Sequence, residues 1–346
     1  MLNAQKAALT AISIAFLSAC GGGGGGSDSS SNSSSSAIRA NENTVKNFSC
    51  NIDQAAAAAP KTSLFTFYNP SSWSAFRHEV TWPVRIEGVN YALRGLILIP
   101  ELTTQRAGTV FFLHGNSPAQ AALDLSFIQT RAEWDWLSRG YAVVYVARRG
   151  NYGSEGAALG YAEGQTKASL DESGVSLTRQ FQLASQYSAD SMLAGMRAAQ
   201  ADPRLAGYMD SIALVGASGG AISALTTAAT SDVFKAATHR AIARITGANS
   251  NQYLNDAVGL AAERESEASK GPAVTAPTFW IAGQNDNIAN AGQLACVFSY
   301  YKAASQRADQ FAIVPGFGHG GYDVLFSPPV VSSFSSYMRA QGFSGF

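Results

Sequence analysis

The chain has 346 residues, and its 24 lysines and arginines balance 24 aspartates and glutamates, so its formal net charge is zero. Charged residues make up only 14% of the sequence, which leaves no basic surface typical of a nucleic-acid-binding protein. The sequence has no Cys-x-x-Cys pair and no His-Glu-x-x-His pattern, so we predict neither a metal nor a cofactor. The length suits one large α/β domain once the amino-terminal region is set aside.

The first twenty residues have the features of an export signal. Lys6 precedes an apolar run at residues 7–17, which is too short to remain as a membrane span. Residues 17–20, Leu-Ser-Ala-Cys, resemble the bacterial lipobox, in which cleavage precedes a cysteine that carries the lipid. The resemblance implies a lipoprotein signal peptide at residues 1–19 and a lipid anchor on Cys20. An ordinary signal peptide with an incidental cysteine is the alternative.

A low-complexity segment follows the predicted anchor. Glycines fill residues 21–26 and serines dominate residues 27–36, which predicts a flexible tether. We place the tether and a polar lead-in at residues 20–60 and one globular domain at residues 61–346. By the lipoprotein resemblance, the glycine after Cys20 favours the outer membrane.

The three cysteines are consistent with export. Lipidation of Cys20 would leave Cys50 and Cys296, which we predict as a possible disulfide pair in an oxidising compartment. Two free buried thiols are the alternative, and neither cysteine lies in a motif that predicts a catalytic thiol.

Strands open the globular domain and then alternate with helices. Residues 80–86 and 91–99 predict an antiparallel hairpin. Six later apolar runs predict sheet strands, at residues 109–113, 142–146, 212–215, 243–246, 278–282 and 311–314. Helices, including one at residues 188–201, fill the gaps between them. This alternation indicates a mostly parallel sheet with helices on both faces.

Two segments interrupt the alternation. Residues 157–186 are predicted as a long polar insertion, and residues 249–276 as a short excursion that is too small for a large cap domain. We therefore expect a fairly open site with a short cap or none, partly bounded by the first insertion.

Residues 216–220 read Gly-Ala-Ser-Gly-Gly and fit the pattern G-x-S-x-G. They lie between an apolar strand at residues 211–215 and a predicted helix at residues 221–229. A strand, a tight turn and a helix form a nucleophile elbow, in which small residues avoid collision with the neighbouring strand and helix. Ser218 is therefore the candidate nucleophile, and a small-residue turn without chemistry is the alternative.

A serine nucleophile needs a base and an acid that orients the base. His319 follows the last predicted strand directly, in a glycine-rich loop, and Asp286 follows the strand before it. The alternatives are a solvated loop histidine and a surface-turn aspartate. Asp309 precedes the last strand and Asp323 follows the histidine, so both are weaker candidates for the acid.

The order Ser218, Asp286, His319 is the order of the catalytic triad in the α/β-hydrolase superfamily, which this chain resembles over residues 80–340. The resemblance implies an α/β-hydrolase fold with the triad at the carboxyl ends of sheet strands. It also implies two backbone donors for a negatively charged intermediate, the N–H groups of Gly219 and Asn116.

Within the superfamily the chain is similar to the dienelactone-hydrolase-like and prolyl-oligopeptidase-like branch. A strand that ends in His114 and a glycine precedes a strand that ends in Arg149 and a glycine. In that branch the second stretch often reads D-x-R-G-x-G-x-S-x-G, whereas here Ala147 replaces the aspartate and Tyr152 one of the glycines. We expect His114 and Arg149 to be structural. Contact of Arg148 or Arg149 with an anionic substrate is the alternative.

The resemblance implies two-step acyl transfer by a serine hydrolase, and we predict that its substrate is a small carboxylic ester. A serine peptidase or aminopeptidase of the prolyl-oligopeptidase-like branch is one alternative. A binding protein that has the same fold without turnover is the other.

Overall fold

A computed structural model describes residues 75–101, 106–115, 131–157, 165–247, 257–319 and 321–346. The predicted signal peptide and tether at residues 1–60, with Cys20 and Cys50, lie outside the described residues, and so does Asn116. In the described ranges, no helix is both long and apolar enough to cross a bilayer.

Eight strands form one sheet. In chain order, β1 to β8 span Ala75–Ile86, Val89–Pro100, Gly108–Leu113, Tyr141–Val146, Ser211–Ala217, His239–Ile245, Thr278–Gly283 and Gln310–Val314. The spatial order is β1-β2-β4-β3-β5-β6-β7-β8. β2 pairs antiparallel with both β1 and β4, and the remaining pairs are parallel. The predicted opening hairpin and the mostly parallel sheet are therefore confirmed.

Helices cover both faces of this sheet. The described α-helices, numbered α1 to α8, span Arg131–Ser138, Lys167–Glu172, Leu177–Gln200, Gly219–Thr230, Asp232–Ala236, Ala257–Ala268, Ala291–Ser305 and Pro328–Ala340. One core cluster contains Trp136 of α1 and Phe334 of α8, and the other contains Met192 of α3, Leu225 of α4 and Phe298 of α7. All residues of β3, β4 and β5 are buried, because central strands of such a sheet face helices on both sides.

The described part of the region predicted as a polar insertion, residues 165–186, is largely helical. Both α2 and the beginning of α3 lie within residues 157–186. The Ser176 hydroxyl caps α3 by accepting a hydrogen bond from the Arg179 N–H at 3.3 Å. The predicted start of this helix at residue 188 was wrong, because the buried face of α3 carries polar residues, among them Gln180 and Ser185, which hide the helical periodicity of apolar residues.

The strand order brings the loops after β3 and β5 together. β4 pairs with one edge of β3, and β5, which comes later in the chain, pairs with the other edge. Open α/β sheets bind ligands at such a reversal, in the crevice outside the carboxyl ends of the strands. The serine turn follows β5 and the loop that begins with His114 follows β3, so the predicted site lies at this crevice.

We predict that Gly195→Ala destabilises the domain, since Gly195 lets α3 pack closely on β4. A Cβ at Gly195 would overlap both Cγ atoms of Val146. We expect the free energy of unfolding to fall by about 1–2 kcal/mol, because overpacking outweighs the helix propensity that alanine gains. Urea unfolding measures the change. A second substitution, Val146→Ala, should recover part of the loss, and strictly additive effects would contradict the close packing.

Candidate active site

Ser218 lies in a strained turn between β5 and α4. Its φ of 53° is in the left-handed region, which residues other than glycine rarely adopt. A Cβ at Gly216 would lie 2.7 Å from the carbonyl carbon of Gly220, and a Cβ at Gly220 would overlap the carbonyl of Leu113. The spacing G-x-S-x-G therefore follows from backbone crowding on both sides of the serine.

The structure brings the predicted nucleophile, base and acid into one hydrogen-bonded chain. Ser218 Oγ lies 2.8 Å from His319 Nε2, and His319 Nδ1 lies 3.0 Å from Asp286 Oδ2. The side chain of His319 is 15% exposed, while that of Asp286 is fully buried. The arrangement can pass the serine proton to Nε2 while the carboxylate holds the proton on Nδ1.

Backbone amides hold the Asp286 carboxylate in place. Its Oδ1 accepts hydrogen bonds from the N–H groups of Ile288 at 2.8 Å and Ala289 at 2.9 Å. The other oxygen, Oδ2, meets His319. Asp286 is a turn residue, as its polar neighbours suggest, but its burial excludes the surface-turn alternative.

The loop after β7 and the loop after β8 are tied to each other. The Asn285 N–H donates to the Phe317 carbonyl at 2.8 Å. A Cβ at Gly283 would lie 2.5 Å from the same carbonyl oxygen, so glycine is needed where the loops cross. Gly283 and Asn285 therefore position the acid against the histidine. Neither residue is predicted from the sequence, where the available signal is a glycine that directly ends an apolar strand.

Asp309 and Asp323 have structural contacts. Asp309 Oδ1 accepts a hydrogen bond from the Thr278 N–H at 2.7 Å, at the amino-terminal end of β7 and thus at the end of the sheet opposite Ser218. Asp323 Oδ1 accepts a hydrogen bond from the Ala132 N–H at 3.1 Å, in the first turn of α1. Both carboxylates therefore bind backbone amides, whereas the carboxylate that meets His319 is that of Asp286.

His114 links the loop after β3 to the loop after β4. Its Nδ1 lies 2.7 Å from the Gly115 carbonyl oxygen and its Nε2 lies 3.1 Å from the Arg148 backbone nitrogen. A carbonyl only accepts and a backbone N–H only donates, so the proton is on Nδ1. Burial, and to a lesser extent the charge of Arg148, holds the pKa of His114 well below its ordinary value. His114 is a neutral structural link, as predicted.

Backbone strain is concentrated at this end of the sheet. Of the five described residues other than glycine that have a positive φ, three lie in the segments that follow β4, β5 and β6, namely Tyr152 at 48°, Ser218 at 53° and Thr246 at 40°. Tyr152 thus takes a left-handed conformation where the related branch often has glycine, and its ring packs edge-on against His114 with centroids 4.8 Å apart. Such strain costs about 1–3 kcal/mol per residue and clusters at functional sites.

Arg149 is a buried scaffold residue. Its Nη2 donates to the Tyr187 carbonyl at 3.0 Å, and its guanidinium lies 3.8 Å from the centre of the Tyr187 ring. Asp190, also on α3, lies 3.9 Å from the same guanidinium. Because Arg149 is only 1% exposed, its contact with a substrate is excluded and its predicted structural role is confirmed.

Of the remaining predicted residues, the structure describes Gly219 and Cys296 but neither Asn116 nor Cys50. Gly219 directly follows Ser218 as the first residue of α4, so its N–H lies at a helix N-terminus beside the serine. Asn116 lies outside the described residues, and the oxyanion role of both residues stays a prediction. Cys296, in α7, is disulfide-bonded, while its predicted partner Cys50 lies outside the described residues.

The neutral state of His114 predicts a stability that falls in acid. In the unfolded chain this histidine takes up a proton near pH 6.5, whereas its pKa in the folded chain is lower, so acid favours unfolding. Between pH 7 and 5 we expect His114 to contribute a slope of at most about 1.4 kcal/mol per pH unit. The variant His114→Gln, which still offers a donor and an acceptor, should show a shallower slope in urea unfolding. Equal slopes would contradict the assignment.

Comparisons with known proteins agree with the fold. A family model described as X-Pro dipeptidyl-peptidase (S15 family) matches residues 91–171. Esterase Pf2001 of Pyrococcus furiosus is similar in structure, with a TM-score of 0.50 and 14% identity over 81% of this chain and 100% of that chain. Acetyl xylan esterase 1 from Thermoanaerobacterium sp. JW/SL YS485 has a TM-score of 0.50 and 14% identity over 84% of this chain and 90% of that chain. None of the curated proteins matches. Together with the strand order and the strained serine turn, these likenesses show that the chain has the α/β-hydrolase fold.

Proposed function

We propose that this protein is a serine hydrolase that cleaves carboxylic esters through an acyl-enzyme intermediate. The observation that carries the proposal is the hydrogen-bonded chain of Ser218, His319 and Asp286, with distances of 2.8 and 3.0 Å. The three residues follow β5, β8 and β7, so one end of the sheet presents them together. A neutral His319 removes the proton from Ser218 Oγ as that oxygen attacks the ester carbonyl.

Asp286 stabilises the imidazolium that forms, because its carboxylate is already fixed by two backbone amides. The tetrahedral intermediate carries a negative charge, for which we propose the N–H groups of Gly219 and Asn116 as donors. The dipole of α4 favours the same charge, since Gly219 begins that helix. The alcohol then leaves with the proton from His319, and water repeats the sequence on the acyl-enzyme.

Esters are favoured over peptides because the two similar structures named above are both esterases. The matching peptidase family model supports a second candidate function, a serine peptidase. That match covers residues 91–171 and therefore ends before Ser218, Asp286 and His319. The match covers the chain from β2 to α2, which includes His114, and it contains none of the three proposed reacting residues.

Hydrolysis of p-nitrophenyl esters, from acetate to decanoate, tests the proposed function. We expect turnover by the purified protein and a loss of about 10⁴-fold or more in Ser218→Ala, since the serine supplies the attacking oxygen. The dependence of the hydrolysis rate on acyl length would indicate the size of the acyl pocket. Cleavage of X-Pro p-nitroanilides without ester hydrolysis would favour the peptidase, and no turnover on either class would favour a binding protein.

Asp286→Asn tests the role of the acid. The amide oxygen can still accept from Ile288 and Ala289, but the amide nitrogen would then face His319 Nδ1 and move the ring proton to Nε2. This tautomer cannot take the proton of Ser218, so we expect kcat to fall by about 10²–10⁴-fold with KM little changed. Circular dichroism should show a retained fold. An unchanged kcat would contradict a catalytic role for Asp286.

A further inference from the structure

We propose that Arg148 is a positioning residue for the oxyanion side of the site, because its side chain holds the carbonyl of Gly115. The inference rests on the proposed function. From the sequence alone, Arg148 is a candidate only for contact with an anionic substrate. In the D-x-R-G pattern of the related branch its place is the unspecified position x, so the pattern assigns it no role.

The guanidinium of Arg148 bridges two parts of the fold. Its Nη2 donates to the Gly115 carbonyl at 2.8 Å, and its Nη1 lies 3.1 Å from the Ser188 hydroxyl on α3. Arg148 is only 7% exposed, so both contacts are shielded from water. Hydrogen bonds from a charged donor are stronger than neutral ones, and the planar fork of arginine fixes their direction. Arg148 thus anchors the loop after β3 to a long helix.

A second donor meets the same carbonyl oxygen. His114 Nδ1 lies 2.7 Å from it, while His114 Nε2 accepts a hydrogen bond from the backbone N–H of Arg148. Arg148 therefore acts on Gly115 directly through its side chain and indirectly through the imidazole that its backbone orients. A carbonyl oxygen has two lone pairs and can accept from both donors, and two such contacts restrict its orientation.

Gly115 forms the backbone wall beside the nucleophile. A Cβ at Gly115 would lie 3.1 Å from Ser218 Cβ and 3.5 Å from Ser218 Oγ. A peptide group is planar, so a carbonyl held at Gly115 restricts its whole peptide unit, and we propose the N–H of that unit as an oxyanion donor. Donors aimed in advance at the developing charge are what an oxyanion site requires.

The charge of Arg148 supports the same role. Burial lowers the pKa of Arg148 to about 10, so the guanidinium keeps its charge at neutral pH. A charged donor polarises the peptide whose carbonyl it binds, and the N–H of that peptide becomes a stronger donor. A lysine would keep a charge here but could not bridge Gly115 and Ser188 with a rigid fork.

The test compares Arg148→Met and Arg148→Lys with Arg149→Met and Arg149→Lys. Arg149 is the matched control, because it is also buried but donates to the Tyr187 carbonyl on α3. We expect kcat for p-nitrophenyl esters to fall by about 10- to 100-fold in Arg148→Met, with KM little changed, since a misaligned donor acts on the transition state. Arg148→Lys should fall less. The Arg149 variants should lose stability while keeping kcat per folded molecule.

A trifluoromethyl ketone supplies a second readout. Ser218 Oγ adds to its carbonyl, the serine proton passes to His319, and the ketone oxygen becomes an oxyanion, so its affinity reports on the oxyanion donors. We expect this affinity to fall in parallel with kcat in the Arg148 variants. Should Arg148→Met not fold, the two lysine variants make the same comparison with the charge retained. An unchanged kcat and ketone affinity in the Arg148 variants, or equal losses in the Arg149 variants, would overturn the inference.

Labelling of Ser218 by a fluorophosphonate separates this outcome from a failure of the proposed function. If the unaltered protein is labelled and the Arg148 variants are labelled equally fast, only the positioning role is lost. If the unaltered protein is not labelled at Ser218, the proposed function is lost and the positioning role falls with it.

Discussion

The left-handed turn at Ser218 is the constraint on which the rest of the site depends. A serine with φ of 53° keeps that conformation only if its surroundings determine it completely. Here the Ser218 N–H donates to the Ile245 carbonyl at 3.0 Å on one side, and Gly220 packs against the Leu113 carbonyl on the other. The two neighbouring strands therefore hold the turn, and two glycines leave the space that it needs.

The other groups of the site are held by similar backbone contacts. Two amides fix the Asp286 carboxylate, and the Asn285–Phe317 hydrogen bond fixes the distance between the acid loop and the histidine loop. On the opposite side of the serine, Arg148 and His114 meet the Gly115 carbonyl. A site assembled in this way needs little reorganisation when charge develops during a reaction, which is the main source of electrostatic catalysis.

Buried charge also anchors the segment predicted as an excursion. Arg244 on β6 lies 3.8 Å from Glu267 on α6, and Lys270 lies 2.8 Å from the same carboxylate. The Arg244 guanidinium stacks 4.0 Å from the centre of the Trp280 ring. Removal of one partner would leave a buried charge uncompensated, so each of these residues is expected to be costly to replace singly. The helical part of the excursion, α6, therefore packs as an integral layer of the fold.

The sequence by itself determined the strand and helix alternation, the serine turn at residues 216–220 and the order of Ser218, Asp286 and His319. These features depend on neighbouring residues, because apolar runs, small-residue turns and strand ends are local patterns. Only the tertiary structure decided which backbone groups hold Asp286, that Arg148 binds the Gly115 carbonyl, and that α3 begins at Leu177. These depend on contacts between segments far apart in the chain, and on polar residues whose burial no local pattern records.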